Sequence, residues 1–221
     1  MCAIGTGARR RFPFGLMQVM KQAEIAGVPN MDRVVYSVDS EALMEEIARL
    51  RGQVARLESR CNELDREAHR DALVPVANRR GLVRHLDILI ARRERHNIPA
   101  ALLFVDVDGL KALNDSCGHS AGDAALIHLA TLMVDTVRQT DLVARLGGDE
   151  FGILLDHADE AAAMDTANRL VNSIAGSDFI HRGRPLPLSV AVGVTAIGDG
   201  DTAEAVLERA DQEMYRDKAA A

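Results

Sequence analysis

Two adjacent glycines followed by two adjacent acids, Gly147-Gly148-Asp149-Glu150, constrain this chain more than any other feature. On their left Leu142-Val143-Ala144-Arg145-Leu146 alternates as a short strand, and on their right Phe151-Gly152-Ile153-Leu154-Leu155 reads as another. Gly147-Gly148 supplies the positive backbone angles of a tight hairpin turn. Asp149 and Glu150 are therefore displayed at the tip or the first position of the hairpin. Taken alone, the stretch is equally well explained as an ordinary Gly-Gly-Asp turn. A second acidic stretch decides between the two.

That stretch is Ala101-Leu102-Leu103-Phe104-Val105-Asp106-Val107-Asp108-Gly109-Leu110-Lys111. An apolar run ending in acids predicts a buried strand that delivers carboxylates to its C-terminal end. If this strand neighbours the hairpin, Asp106 sits beside Asp149 and Glu150. Clustered carboxylates repel unless a cation neutralises them. Hard oxygen ligands with room left for substrate phosphates suit Mg²⁺ better than zinc or a closed calcium cage. An EF-hand loop at Asp106-Val107-Asp108-Gly109 is rejected, because its glycine and terminal glutamate fall at the wrong offsets.

At 221 residues the chain accommodates one full domain and an appendage. A 48% hydrophobic content supports a packed core, and only 3% aromatic residues make that core aliphatic. The net charge of −7, with no basic stripe interleaved with aromatics, argues against a nucleic-acid groove. Cys2, Cys61 and Cys117 are odd in number and far apart, which suits a reducing cytosol, and the protein is expected to be cytoplasmic. No apolar run reaches membrane-spanning length. Arg9-Arg10-Arg11 is read as a solvated basic patch, since Lys21 and Glu24 interrupt any apolar segment after it.

Residues 1–38 carry two weak helical hints, with Leu16, Val19 and Met20 on one face, and have no assigned role. Over 39–70, Leu43, Ile47, Leu50, Val54, Leu57, Cys61, Leu64 and Ala68 alternate steps of four and three. This heptad seam predicts a parallel two-stranded coiled coil, with β-branched Ile47 and Val54 alternating with Leu50 and Leu57. Asp39 or Ser40 caps its start and Gly52 is its weak spot. The phase is lost at Asp71 and Pro75 breaks the helix.

The third segment, 71–221, opens with a helix from Asn78 to about His96 and a strand over about 100–107. A helix from His119 to Arg138, the hairpin of 142–155 and a helix over about 159–175 follow. Phe179–His181 and Leu186–Ile197 form a final strand pair around Arg182-Gly183-Arg184-Pro185, and a last helix starts at Asp201 or Thr202. The order is βαββαβ plus an extra strand, which predicts an α+β fold with an antiparallel-rich sheet and helices on one face. A doubly wound nucleotide fold is excluded, and there is neither a Walker loop nor a Gly-rich dinucleotide turn.

Asp106-Val107-Asp108-Gly109-Leu110-Lys111, Asn114-Asp115, Gly118-His119, Gly122-Asp123 and Gly147-Gly148-Asp149-Glu150-Phe151 resemble, in order and spacing, the signature of the GGDEF-domain diguanylate cyclases. Asp71-Ala72-Leu73 and Asn78-Arg79-Arg80 are similar to the family's opening motif, with Val74-Pro75-Val76 in place of Thr-Gly-Leu. The resemblance implies a cyclase/palm-like domain, with a ferredoxin-like core, that joins two GTP into cyclic di-GMP and releases pyrophosphate. It implies Asp106, the Val107 carbonyl and Glu150 as ligands of Mg²⁺, or of Mn²⁺. It makes Asp149 a further ligand or the group that helps deprotonate the 3′-hydroxyl, and has Lys111 hold the terminal phosphates. Asn114 and Asp123 contact the guanine edge, Gly147-Gly148 allows close substrate approach, and Lys218 contributes to substrate binding. A carboxylate at Asp123 accepts from guanine N1–H and the amino group, whereas adenine presents an acceptor there, so GTP is favoured over ATP.

Each domain binds one GTP, so two active sites face each other in a homodimer. The seam then raises the effective concentration of one domain around the other. Arg138-Gln139-Thr140-Asp141 resembles the family's inhibitory RxxD site for cyclic di-GMP, with Arg169 at the position from which a neighbouring domain adds a second arginine. Gly109-Leu110 replaces a bulkier pair before the lysine. The family commonly continues past Lys218 to a Gly-Arg-Asn segment, so a lower turnover is expected here. Two rivals to the cyclase are a cyclic di-GMP receptor and a GTP-binding regulatory scaffold.

Overall fold

In a computed structural model of the chain, residues 40–220 are described. The chain divides into two units between Arg56 and Leu57. Helix α1 runs Ser40–Ala68. Its seam residues Leu43, Ile47, Leu50, Val54, Leu57 and Leu64 are all exposed, so the expected heptad stripe faces solvent in the single chain. Ion pairs Glu46–Arg49 and Arg60–Glu63 lie along the helix. The helical hints within residues 1–38, and Asp39 as a cap, lie outside the described residues.

After α1 the backbone turns on two side chains. The Asp71 carboxylate accepts from the N–H groups of Leu73 and Val74 at 2.9 and 3.0 Å. Asn78 accepts from the Gly81 N–H at 3.0 Å and so caps α2, Arg79–His96. The same side chain donates to the carbonyls of Ala68 and Arg70. One asparagine thus fastens the end of α1 to the start of α2, with the two-residue strand β1, Ala77–Asn78, between them.

Strand β2, Ala100–Val107, is buried at every position, because its apolar residues occupy both parities. Helices α3, Leu110–Cys117, and α4, His119–Thr136, follow. The hairpin is β3, Leu142–Gly147, and β4, Glu150–Asp156. Helix α5 spans Glu160–Ala175, capped by Asp159, which accepts from the Ala162 N–H. A small two-stranded sheet joins β5, Ile180–His181, to β6, Arg184–Pro185. Strand β7, Val190–Ala196, and helix α6, Ala203–Ala220, complete the domain. The main sheet runs β1-β3-β4-β2-β7, antiparallel except for β1 against β3.

Three expectations are corrected. Helices cover both faces of the sheet: Leu126, Leu129, Leu170 and Ile174 pack with Leu103, Val105 and Ile153 on one side. Leu82, Leu86, Val206 and Met214 pack with Leu102, Phe104 and Leu154 on the other. A strand apolar at both parities needs cover on both sides. The helix read from His119 to Arg138 stops at Thr136, Val137 being extended, and the eight-residue α3 was too short to show a periodic stripe. The last strand is Val190–Ala196 rather than Leu186–Ile197, and it pairs with β2, not with residues 179–181. Pro185 and Pro187 lack the N–H a ladder requires.

Candidate active site

Strand register brings the two acidic stretches together. Asp106 is the cross-strand partner of Glu150, the first residue of β4, and the Val107 N–H donates to the Asp149 carbonyl at 3.1 Å. The ladder between β3 and β4 is irregular between Arg145 and Gly147. Gly148, at φ 52°, takes the left-handed turn that puts the two acids after it. Asp106 is 9% exposed although charged.

Burial, then repulsion from Asp106, Asp149 and Asp211, holds the Glu150 carboxyl above the ordinary glutamate range, with Arg79 opposing. The Lys218 ammonium, from the last turn of α6, pairs with the Asp106 carboxylate. Its hydrogen bond to Asp106, reinforced by charge from Asp106, Asp108 and Asp149, pushes the lysine's pKa up against partial burial. Asp108 is pinned from the other side, where Ser189 Oγ donates to it at 2.8 Å and its own N–H donates to the Ser189 carbonyl.

The donor set fits a divalent ion. Asp106, Glu150 and the Val107 carbonyl are hard oxygens, and adjacent carboxylates attract a cation. Among the described residues no three Asp, Glu, His or Cys side chains converge into a closed cage. A pair of carboxylates with open positions is the arrangement that leaves space for substrate oxygens.

The helices after β2 carry the other expected substrate contacts. Lys111 lies exposed on α3. Asn114 lies three residues further on, with its Oδ1 buried and without a partner. A Cβ at position 122 would meet that Oδ1 at 2.1 Å, so only glycine on α4 leaves the amide its place. Asp123 is the next residue and is exposed.

Arg138, Asp141 and Arg169 line one cleft of about 530 Å³. Arg169 lines this cleft together with Arg138 and Asp141 of its own chain. Asp141 accepts from the N–H groups of Arg138 and Asp156 at 2.9 and 3.1 Å. Arg169 donates to Thr166 Oγ1 at 3.2 Å, and among the described residues neither guanidinium meets a carboxylate.

Arg145 is a residue that sequence reasoning passed over. It donates to the Gly148 carbonyl at 2.6 and 3.1 Å and reaches Asp71 at 3.4 Å. It thereby ties the hairpin tip to the segment after α1. The available signal was its charge on an otherwise apolar strand, three residues before the turn glycine it holds.

The α+β sheet sets two carboxylates opposite each other at its end, and the helix after β2 carries a buried amide oxygen without a partner, a donor set of the class that suits a divalent ion and a polar ligand. The family described as "Diguanylate cyclase, GGDEF domain" matches residues 68–221. The chain is 40% identical over 157 residues to the probable diguanylate cyclase DgcE of Escherichia coli, covering 71% of this chain and 14% of DgcE. It is 36% identical over 180 residues to the diguanylate cyclase DgcP of Pseudomonas aeruginosa, covering 81% of this chain and 27% of DgcP. The chain thus spans well under a third of either relative. Among solved structures it is similar to the diguanylate cyclase SiaD of Pseudomonas aeruginosa in complex with its activator SiaC. That likeness has a TM-score of 0.67 and 30% identity, over 93% of this chain and 84% of SiaD. This chain belongs to the GGDEF diguanylate cyclase family. Among the described residues no helix is long and apolar enough to cross a membrane.

Proposed function

We propose that the chain condenses two GTP into cyclic di-GMP with release of pyrophosphate, acting as a homodimer and using Mg²⁺ or Mn²⁺. The register that sets Asp106 against Glu150 is the observation that carries this reading. In each half-reaction the 3′-oxygen of one GTP forms a bond to the α-phosphorus of the other, the bond to pyrophosphate breaks, and the hydroxyl proton leaves. A divalent ion held by Asp106, Glu150 and the Val107 carbonyl would supply positive charge for the phosphate oxygens and the leaving pyrophosphate. Asp149, at the turn, receives the hydroxyl proton. Lys111 and Lys218 hold the terminal phosphates, and Asn114 and Asp123 orient guanine. The buried, partnerless Oδ1 of Asn114 supports that orientation, because such an atom calls for a donor.

Pairing through α1 would bury the exposed Leu43, Ile47, Leu50, Val54, Leu57 and Leu64 and bring two half-sites together. Two arginines without carboxylate partners in one cleft suit a doubly anionic ligand, which supports product inhibition at Arg138 and Arg169. Asp141 holds the turn there through its backbone contacts. The same cleft favours a second reading, a cyclic di-GMP receptor. Incubating the protein with GTP and Mg²⁺ and measuring cyclic di-GMP by mass spectrometry separates them. Synthesis abolished by Glu150→Ala supports the cyclase, and binding that needs Arg138 without synthesis supports the receptor.

A further inference from the structure

Asp106 and Glu150 face each other at the sheet end, and Asp106 is buried enough to need a positive partner. Among the described residues its side chain's hydrogen-bond partner is the ammonium of Lys218, which arrives from 112 residues away in sequence. Helix α6 is anchored by Val206, Ala210 and Met214, all buried, and Lys218 lies one turn beyond Met214. The lysine side chain is itself partly exposed, at 36%, so its long stem can swing toward solvent without disturbing that anchor. An ammonium and a divalent ion drawn to the same carboxylate repel each other and compete for its negative charge.

We propose that Lys218 is a resident counter-cation of the metal site, which an incoming divalent ion must displace. The inference rests on the metal-site reading above and goes beyond it. Without nucleotide, the ammonium competes with the metal, so the carboxylates bind the ion more weakly than they otherwise would. With nucleotide present, the displaced ammonium acquires a new anionic partner in the phosphates, and competition becomes cooperation. By linkage, metal then tightens nucleotide binding by the factor that nucleotide tightens metal. The device keeps the acids neutralised in the resting protein and favours loading of metal and nucleotide together.

The test is a Mn²⁺ titration followed by the electron paramagnetic resonance signal of the free ion, without nucleotide, on the full chain. Lys218→Met, with Lys218→Gln as a second variant, is expected to tighten Mn²⁺ binding by about tenfold, within the usual span of such couplings. Thermal melts in chelator are expected to show the variants folded but slightly less stable than the wild type, with a larger gain on adding Mn²⁺. Glu150→Gln, run in parallel, is expected to lose the binding. Unchanged or weaker Mn²⁺ binding in both lysine variants, with Glu150→Gln still losing it, overturns the counter-cation and leaves the metal site standing. Mn²⁺ binding that survives Glu150→Gln overturns the metal-site reading and this inference with it.

Discussion

Replacing Glu150 by glutamine is expected to stabilise the metal-free protein while abolishing its response to metal. The amide is nearly isosteric, so packing at the start of β4 is kept and one negative charge is removed. Glu150 stands opposite Asp106, and directly opposed side chains in a sheet lie about 5 Å apart. Two unit charges at about 5 Å repel by roughly 3 kcal/mol at an effective dielectric of 20. Glu150 is only half-buried and Lys218 already neutralises part of Asp106, so screening cuts the net gain to about 0.5–1 kcal/mol. For a domain of this size that is an increase in Tm of about 1–4 °C.

The pH dependence carries the same sign. The raised pKa means that the folded chain holds the Glu150 proton more tightly than the unfolded chain. Its stabilising contribution is therefore present at low pH and is lost as pH rises from the ordinary glutamate range through the raised folded value. Across that window the wild type is expected to lose stability relative to the variant. Calorimetry in chelator between pH 4 and pH 8, and again with Mg²⁺, measures both effects. A variant less stable than the wild type in chelator, or one that still gains on adding Mg²⁺, refutes the reasoning.

Four further outcomes follow from the same geometry. Gly122→Ala forces a Cβ to within 2.1 Å of Asn114 Oδ1. It is expected to cost little stability, since that oxygen ends a side chain able to rotate aside, and to weaken GTP binding by displacing the amide, both readable by melts with and without nucleotide. Arg145→Ala frees the Gly148 carbonyl and Asp71. Cyclase kcat is expected to fall by about tenfold or more, in line with the sensitivity of catalysis to small misplacements, with little change in nucleotide affinity. Arg138→Ala and Arg169→Ala are each expected to weaken cyclic di-GMP binding by roughly tenfold or more, as loss of a charge-assisted bond does, measured by calorimetry, with GTP binding retained. Leu50→Pro costs α1 about 3 kcal/mol or more; light scattering is expected to show monomer and product formation to fall with it.

How much was legible from sequence depends on whether a signal was local. The heptad repeat, the buried β2 and the glycine turn are read from neighbours a few residues apart, and the helix, strand and turn stand where their periods put them. Asp106 and Glu150 were legible as a pair only because the βαββαβ order makes β2 and β4 neighbours, and register then aligned them. Helices on both faces were implied by apolar residues at both parities of β2, yet a count of elements alone placed them on one.

Other features belong to the tertiary structure because they join residues with no shared period. Lys218 reaches Asp106 only through the packing of α6 on β7, Arg145 bridges to Asp71 across the β3 end, and Arg169 shares a cleft with Arg138 through the packing of α5 beside the turn after α4. Sequence by itself determined which chemical groups this protein carries and on which elements. Folding decided which of their charges meet, because a contact across a core depends on the rotation and depth of two packed elements, and no spacing along the chain encodes either.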